Sequence, residues 1–261
     1  MLEPWSSCDS TSDEQEDEQE DVQADVQVMR TVLITGSSGG IGRALMDRFR
    51  AHGDRVVGLD RQDADVLCDL SDFDEAALLT RIRAATDGAP VGVLINNAAV
   101  QITGPFQTLS ADDWRASLEV NLIAPARLTR LLLEDLETTA GCVINVASIH
   151  ATQTKGGFSA YATSKAALSG MTRALATELG SRIRVNAISP AAINTEMLQA
   201  GFAGDAEGLA ALAAYHPSGR IGEPAEVAHL AWFLASSEAA FINGADVPLD
   251  GAISARLHDP G

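Results

Sequence analysis

Short apolar runs alternate with longer amphipathic stretches along most of the chain. Apolar runs rich in β-branched residues predict buried strands, and apolar positions recurring at the helical period predict helices. The predicted strands cover residues 31–35, 55–60, 65–72, 91–100, 141–148, 182–190 and 245–251. The predicted helices cover residues 43–53, 72–85, 110–137, 158–180 and 224–236. This alternation predicts an α/β fold, a doubly wound parallel sheet of Rossmann-like type with about seven strands and helices on both faces.

Two segments depart from the alternation. Residues 1–29 include the low-complexity run DEQEDEQED, which cannot bury enough apolar area to offset the entropy of ordering. We therefore predict a disordered acidic tail followed by one domain over residues 30–261. Residues 191–222 are rich in small residues and interrupted by glycines, and we predict that they form a lid of mobile helices, hereafter the lid.

Charge and composition narrow the classes of partner and compartment. The formal charge is −18, and residues 1–28 hold ten acidic residues without a Lys or Arg, which argues against a nucleic-acid partner. No apolar run reaches the ~18 residues of a membrane span, so we expect no membrane insertion. The scattered Cys8, Cys68 and Cys142 are typical of reduced thiols in a cytoplasmic protein. No Cys/His cluster has metal-ligand spacing, so no metal is expected.

A glycine-rich turn follows the first predicted strand and opens the first predicted helix. Its glycines, Gly36, Gly40 and Gly42, are not spaced as in GxGxxG, but the strand–turn–helix context is the one that motif requires. Glycines let the backbone approach a pyrophosphate, which the free N–H groups and positive end of the helix attract. The pattern predicts a dinucleotide-binding site.

The second predicted strand ends in Asp60, about twenty residues beyond the glycines. An acidic side chain at this position accepts hydrogen bonds from the adenosine ribose and repels a 2′-phosphate, so it favours NAD over NADP. Arg61 follows directly and could pair with that phosphate. The alternative cofactor therefore stays open at this stage.

A second group of residues points to proton transfer. Tyr161 and Lys165 lie one helical turn apart, so an ammonium beside the phenol would lower the pKa of the phenol. Such a pair can exchange a proton with an alcohol oxygen. Ser148 ends a predicted strand nearby in the chain, and Asn121 sits on an apolar helix face as either a structural or a functional amide. A Tyr–Lys pair on a solvated helix face would look the same in isolation.

Together these residues resemble the short-chain dehydrogenase/reductase family over residues 31–251. The residues that carry the resemblance, in the family's order and spacing, are Thr35-Gly36-xxx-Gly40-Ile41-Gly42, Asp69, Asn96-Asn97-Ala98, Asn121, Ser148, Tyr161-xxx-Lys165, Pro190 and Thr195. The chain departs from the family at Ala99 and Ala191, where the family usually has glycine.

The resemblance implies an NAD(H)-dependent oxidoreductase of secondary alcohols and ketones that forms a dimer or tetramer. It implies Tyr161 as general acid/base, Lys165 as its electrostatic partner and ribose ligand, Ser148 as the holder of the substrate oxygen, and Asn121 as support for a water relay. His150 joins Ser148 and Tyr161 as a candidate substrate residue. The expected cofactor residues are Gly36, Ser38, Gly40, Ile41, Gly42, Asp60, Arg61, Asp69, Leu70, Asn97, Ala98, Tyr161, Lys165, Pro190, Ile193 and Thr195.

Two alternatives remain open from the sequence. One is an NADPH-dependent ketoreductase of the 3-oxoacyl type, with Arg61 engaging the 2′-phosphate. The other is an NAD-binding regulator without turnover, whose acidic tail is the partner surface.

Overall fold

The computed structural model describes residues 29–257 of the chain, so the predicted acidic tail lies outside the described residues except for Met29. The strands are β1 (Thr31–Thr35), β2 (Arg55–Asp60), β3 (Val66–Leu67), β4 (Val91–Asn96), β5 (Cys142–Val146), β6 (Arg184–Pro190) and β7 (Asp246–Leu249). They form one sheet in the order β3-β2-β1-β4-β5-β6-β7, and every neighbouring pair is parallel. The predicted doubly wound parallel sheet is confirmed.

Helices cover both faces of this sheet. They are α1 (Gly40–Ala51), α2 (Glu75–Ala85), α3 (Ala111–Leu118), α4 (Ala124–Leu131), α5 (Leu133–Thr138), α6 (Ser159–Leu179), α7 (Glu196–Gly201), α8 (Ala206–Tyr215) and α9 (Pro224–Ala235). Val32 and Ile34 of β1 pack with residues of α1 and α9, whereas Leu33 packs with residues of α2, α4 and α5. Successive strand residues point to opposite faces, so an unbroken apolar run suits a sheet buried on both sides. None of the described helices is long and apolar enough to cross a membrane.

The strand order places a ligand crevice beside β1. The chain runs from β1 outward to β3, then returns to β4 on the other side of β1 and continues outward to β7. The loops that leave β1 and β4 therefore diverge, which opens a crevice at the carboxyl ends of the strands.

The predicted single helix over residues 110–137 is wrong in its continuity. A π-helical turn at Glu119–Ile123 separates α3 from α4, and α5 follows α4 after Leu132. Pro125 accounts for the π turn, because proline has no N–H to donate to the carbonyl oxygen of Asn121 four residues earlier. The predicted start is confirmed, since Ser110 and Asp113 form a capping box at the N-terminus of α3.

The predicted third strand within residues 65–72, which we expect to end at Asp69, is also too long, because only Val66–Leu67 pairs with β2. Asp69 turns the chain away from the sheet. Its Oδ1 accepts hydrogen bonds from the Ser71 N–H at 2.9 Å and from the Ser71 hydroxyl at 2.7 Å. This local carboxylate turn competes with the sheet ladder at an edge strand.

The lid contains α7 and α8, and its two ends are joined to each other. Ile193 and Gly222 form an isolated parallel bridge, and the Asn194 N–H donates to the Gly222 carbonyl oxygen at 2.8 Å. The lid therefore leaves and rejoins the sheet edge at one place. Its movement stays a prediction.

Candidate active site

The loop after β1 depends on two glycines. Gly36 has a φ of +66°, and a Cβ on Gly42 would lie 2.0 Å from the Gly36 carbonyl oxygen. Larger residues would therefore disrupt the turn. No side chain caps the N-terminus of α1, because the N-cap residue is Gly39. The first N–H groups of the helix and its positive dipole end are left for an anion, so this loop fits the pyrophosphate of a dinucleotide.

The Asp60 carboxylate faces the same loop from the end of β2. One of its oxygens accepts hydrogen bonds from the Ser38 N–H at 3.0 Å and the Ser38 hydroxyl at 2.7 Å, and the other accepts from the Arg61 N–H at 2.7 Å. Arg61 and Asp69 line a neighbouring cavity of about 450 Å³. The Asp60 position fits a ribose hydroxyl, and the cavity fits the adenine end of the cofactor.

The predicted fourth strand ends at Asn96 instead of residue 100, because the chain turns toward β1. The N–H groups of Asn97 and Ala98 both donate to Thr35 Oγ1 at 3.0 Å. Asn97 Nδ2 also donates to the carbonyl oxygens of Thr35 and Gly36, at 2.9 and 3.0 Å. The β4 loop therefore holds the glycine loop in its conformation.

The end of β5 and the first turns of α6 bring Ser148, Tyr161 and Lys165 together. Lys165 is 2% exposed, its Nζ donates to the Val146 carbonyl oxygen at 2.7 Å, and the same nitrogen lies 5.8 Å from the centre of the Tyr161 ring. The buried Ser148 hydroxyl lies close enough to the Tyr161 phenol to favour its charged form. These three side chains, distant in sequence from the glycine loop, meet at the carboxyl edge of the same sheet.

Burial dominates the protonation of the phenol and the amine. It raises the pKa of Tyr161 above 10, against the opposing effect of the Ser148 hydrogen bond. It lowers the pKa of Lys165 to about 8. Lys165 is not among the causes of the shift at Tyr161, and its lowering of the phenol pKa stays a prediction. Lys165 directs its Nζ to a backbone carbonyl, and desolvation disfavours the charged form of each group.

Asn121 is fully buried within the π turn and joins three segments. Its Oδ1 accepts from the Val100 N–H, and its Nδ2 donates to the Val100 carbonyl oxygen and to Ser164 Oγ, each at 2.9 Å. Ser164 in turn donates to the Tyr161 carbonyl oxygen at 2.7 Å. The Asn121 amide thus ties the β4 loop to the turn of α6 that carries Tyr161.

His150 belongs to an aromatic group beside the phenol. Its ring stacks on Phe158 with centroids 4.5 Å apart and meets Tyr161 edge-on at 5.8 Å. Its Nδ1 lies 2.9 Å from Thr154 Oγ1. Burial and the nearby Lys155 ammonium lower the pKa of His150, which favours a neutral imidazole at the predicted substrate side.

The remaining predicted cofactor residues divide between the crevice and the core. Pro190 ends β6 at the crevice, and the N-cap residue of α7, Thr195, has a methyl carbon 3.2 Å from where a Cβ of Gly40 would lie. The lid therefore begins against the glycine loop. The side chains of three others pack in the core clusters: Ile41, Leu70 and Ile193. Through this core packing they support the segments that form the predicted cofactor site.

The sequence did not indicate one contact between the glycine loop and the lid. Arg43 Nη2 lies 2.6 Å from Glu196 Oε1, and Arg43 Nη1 donates to the Ser38 carbonyl oxygen. The two charged residues are separated by 153 positions, so no local spacing in the sequence predicts that they pair. A chain of contacts runs from Asp60 through Ser38 and Arg43 to the lid.

Known proteins have a similar architecture and a related sequence. A family model described as Enoyl-(Acyl carrier protein) reductase matches residues 36–254. The chain belongs to the short-chain dehydrogenase/reductase family. Protein FixR of Bradyrhizobium diazoefficiens is 36% identical over 244 residues, covering 85% of this chain and 86% of the relative. The ligand-free aldohexose dehydrogenase of Thermoplasma acidophilum has a TM-score of 0.84 and 30% identity, covering 89% and 97% of the two chains.

A third relative carries a nicotinamide cofactor. The structure of a putative NAD(P)-dependent gluconate 5-dehydrogenase from Beutenbergia cavernae, with bound NADP, has a TM-score of 0.80 and 33% identity, covering 87% of this chain and 97% of its own. The predicted family is thus confirmed, and the chain is an oxidoreductase of that family.

Proposed function

We propose that this short-chain dehydrogenase/reductase interconverts a secondary alcohol and a ketone with NAD(H), and that Tyr161 is the general acid/base. The meeting of Ser148, Tyr161 and Lys165 beside the Gly36–Gly42 loop carries this proposal. When bound, the nicotinamide supplies or accepts the hydride. Positioned proton transfer of this kind contributes ~10²- to 10⁴-fold to rate.

The geometry divides the work between the hydroxyl groups and the amine. The Ser148 hydroxyl and the Tyr161 phenol are close neighbours and each has an O–H donor, so both can donate to one substrate oxygen. An ammonium has three N–H donors, and Lys165 gives one of them to the Val146 carbonyl oxygen. The other two are available to a ribose hydroxyl and to the phenol side of the site. An added charged partner there would shift the phenol toward its ionised form.

Asn121 supports proton exchange with solvent through its backbone. Pro125 cannot donate to the Asn121 carbonyl oxygen, so the π turn leaves this acceptor without its usual helical partner. A water molecule bound there could pass a proton from Lys165 outward. The Asn121 side chain holds the turn in place through Val100 and Ser164.

The Asp60 carboxylate favours NAD over NADP. It already accepts two hydrogen bonds from Ser38, and a 2′-phosphate would bring two negative charges beside it. The second candidate is an NADPH-dependent ketoreductase of the 3-oxoacyl type, supported by the exposed Arg61 side chain and by the NADP in the gluconate 5-dehydrogenase structure. Calorimetric titration with NADH and with NADPH separates the two.

We also propose a homo-oligomer, a dimer or tetramer, in the cytoplasm. The described thiols of Cys68 and Cys142 are free, as reducing compartments keep them, and Phe241 exposes its whole ring. Light scattering measures the oligomeric state.

The test of the proposed function is a panel of secondary alcohols and ketones assayed with both cofactors. Wild type should turn over at least one member, and Tyr161→Phe should lose at least 10²-fold while still binding NADH. Tyr215→Phe is the matched control, because Tyr215 is the other tyrosine of the chain and is 59% exposed. Tight cofactor binding without turnover of any member would favour the regulator instead.

A further inference from the structure

A second cavity lies between the lid and the turn that follows β7. Its volume is about 770 Å³, within the ~300–1,000 Å³ usual for small-molecule sites. Its walls combine six small or rigid residues with two side chains that can carry positive charge. The lining residues are Ala210, Ala214, His216, Pro217, Gly219, Ala252, Ala255 and Arg256. This composition fits a small ligand with an apolar body and a polar end.

His216 is a polar group of this wall that lacks a full set of partners. It is 3% exposed, and its Nδ1 lies 2.9 Å from the Leu212 carbonyl oxygen. A carbonyl oxygen only accepts, so Nδ1 carries a proton and donates it to this contact. No hydrogen-bond partner reaches Nε2 from the described residues. Nε2 is also closed to solvent, so His216 forms part of the cavity wall without offering this nitrogen to a ligand.

Arg256 is the cation of the cavity. Its nearest polar contact is the Tyr215 carbonyl oxygen, at 3.5 Å from Nη1. Among residues 29–257 no carboxylate lies within 4 Å of its guanidinium, although most arginines of this acidic chain have an Asp or Glu partner at that distance. A guanidinium presents paired donors that match the two oxygens of a carboxylate.

The neighbouring Asp250 limits the charge of the ligand. Its carboxylate accepts from the Ala252 N–H at 2.9 Å and the Ser254 N–H at 3.1 Å, and it lies close enough to His216 to interact with it. With the Asp250 charge close to His216 and held by hydrogen bonds of its own, the single arginine is unsuited to a dianion, and a singly charged group fits it better than a phosphate dianion. The observations therefore favour a carboxylate.

One wall of this cavity contacts the loop that joins two of the proposed catalytic residues, Ser148 and Tyr161. Gln153 lies between Ser148 and Tyr161 in the chain, and its Nε2 donates to the Ser254 carbonyl oxygen at 2.7 Å. Ser254 precedes Ala255, a lining residue of the cavity. This contact connects the loop beside the proposed catalytic centre with the wall that carries Arg256.

We infer that the cavity binds the carboxylate end of the substrate, so that the enzyme prefers hydroxy acids and the corresponding keto acids. Arg256 pairs with the carboxylate of the substrate. This inference rests on the proposed function for the reaction itself, but the binding of the carboxylate does not require turnover.

The test compares acids with their primary amides. The pairs are 3-hydroxybutyrate, 4-hydroxypentanoate and 5-hydroxyhexanoate with the matching amides, assayed with NAD and NADP in wild type and in Arg256→Gln. We expect wild type to prefer an acid over its amide by ~10-fold or more in kcat/KM, mainly through KM, and Arg256→Gln to abolish the preference. Arg50→Gln is the control, because Arg50 is exposed near the C-terminus of α1, away from the crevice.

A binding measurement separates this inference from the proposed function. Calorimetric titration of cofactor-free protein with 4-oxopentanoate and its amide should show acid binding that weakens at least ~10-fold in Arg256→Gln, while amide binding stays unchanged. Equal binding of acid and amide by wild type, or an acid preference retained in Arg256→Gln, overturns the inference even if the alcohols are oxidised. Stronger binding of glycerol phosphate than of any carboxylate overturns the choice of ligand. Acid-selective binding without turnover of any panel member would sustain the inference and reject the proposed function.

Discussion

Replacing Lys165 by methionine isolates the free-energy cost of burying its ammonium. Lys165 is 2% exposed, and the described hydrogen bond of its Nζ is to the Val146 carbonyl oxygen. Burial lowers the pKa of Lys165 from 10.5 to about 8. Between these pH values the unfolded chain binds the proton more tightly than the folded protein. The free energy of unfolding of wild type therefore rises as the pH rises from 8 to 10.5 and is lowest below pH 8.

The size of the effect follows from the two pKa values. At ~1.4 kcal/mol per pKa unit, the cost of the charged lysine at pH 7 is roughly 3 kcal/mol. At pH 9.5 the folded-state lysine is mostly neutral, and the cost falls to roughly 1 kcal/mol. Wild type should therefore gain ~2 kcal/mol in unfolding free energy relative to Lys165→Met between pH 7 and pH 9.5.

The assay is urea unfolding of cofactor-free protein, followed by circular dichroism at several pH values between 7 and 9.5. Methionine keeps the length and apolar body of the lysine, so the comparison with wild type removes the contributions of all other titrating groups. Lys155→Met is the control, because Lys155 is the other lysine of the chain and its side chain is exposed. A difference between wild type and Lys165→Met that does not change with pH would show that the ammonium is not desolvated.

Two further substitutions test the predicted cofactor site and the π turn. Asp60→Ala removes the charge that faces Ser38, so the ratio of NADPH to NADH affinity should rise ~10-fold by calorimetry, and an unchanged ratio would exclude Asp60 as the selector. Asn121→Ala leaves the buried Val100 backbone groups and Ser164 without partners. It should lower the free energy of unfolding by roughly 3 kcal/mol in urea titration, and a loss below ~1 kcal/mol would mean that water replaces the amide.

The local hydrophobic pattern of the sequence was sufficient to predict most strands of the sheet. Val32, Leu33 and Ile34 form an unbroken apolar run, and such a run is readable as a strand buried on both faces. The edge strand was overestimated because the hydrophobic pattern continues through Leu67 and Leu70, while the carboxylate of Asp69 turns the chain. The π turn was missed because Pro125 lies inside a run that otherwise has helical periodicity.

Part of the candidate site could be predicted from the sequence, because of where its residues stand relative to the strands and helices. Its glycines, Ser148, Tyr161 and Lys165 stand at strand ends or helix starts, where topology alone brings them to one edge of the sheet. The pKa shifts of Tyr161 and Lys165 could not be predicted from the sequence. They depend on the burial of both side chains and on the hydrogen bond of the Lys165 Nζ to a backbone carbonyl. The Arg256 cavity could not be predicted either, since its lining residues come from α8 and from a turn about forty residues later.

The most direct test of the account is the transfer of deuterium from substrate to cofactor. The most active alcohol of the panel is prepared with deuterium on its carbinol carbon and incubated with NAD and either wild type or Tyr161→Phe. Mass spectrometry of the reduced cofactor should show one deuterium per turnover with wild type and at least 10²-fold less product with the variant. Reduced cofactor without deuterium, or equal product from Tyr161→Phe, would contradict hydride transfer with Tyr161 as the acid/base.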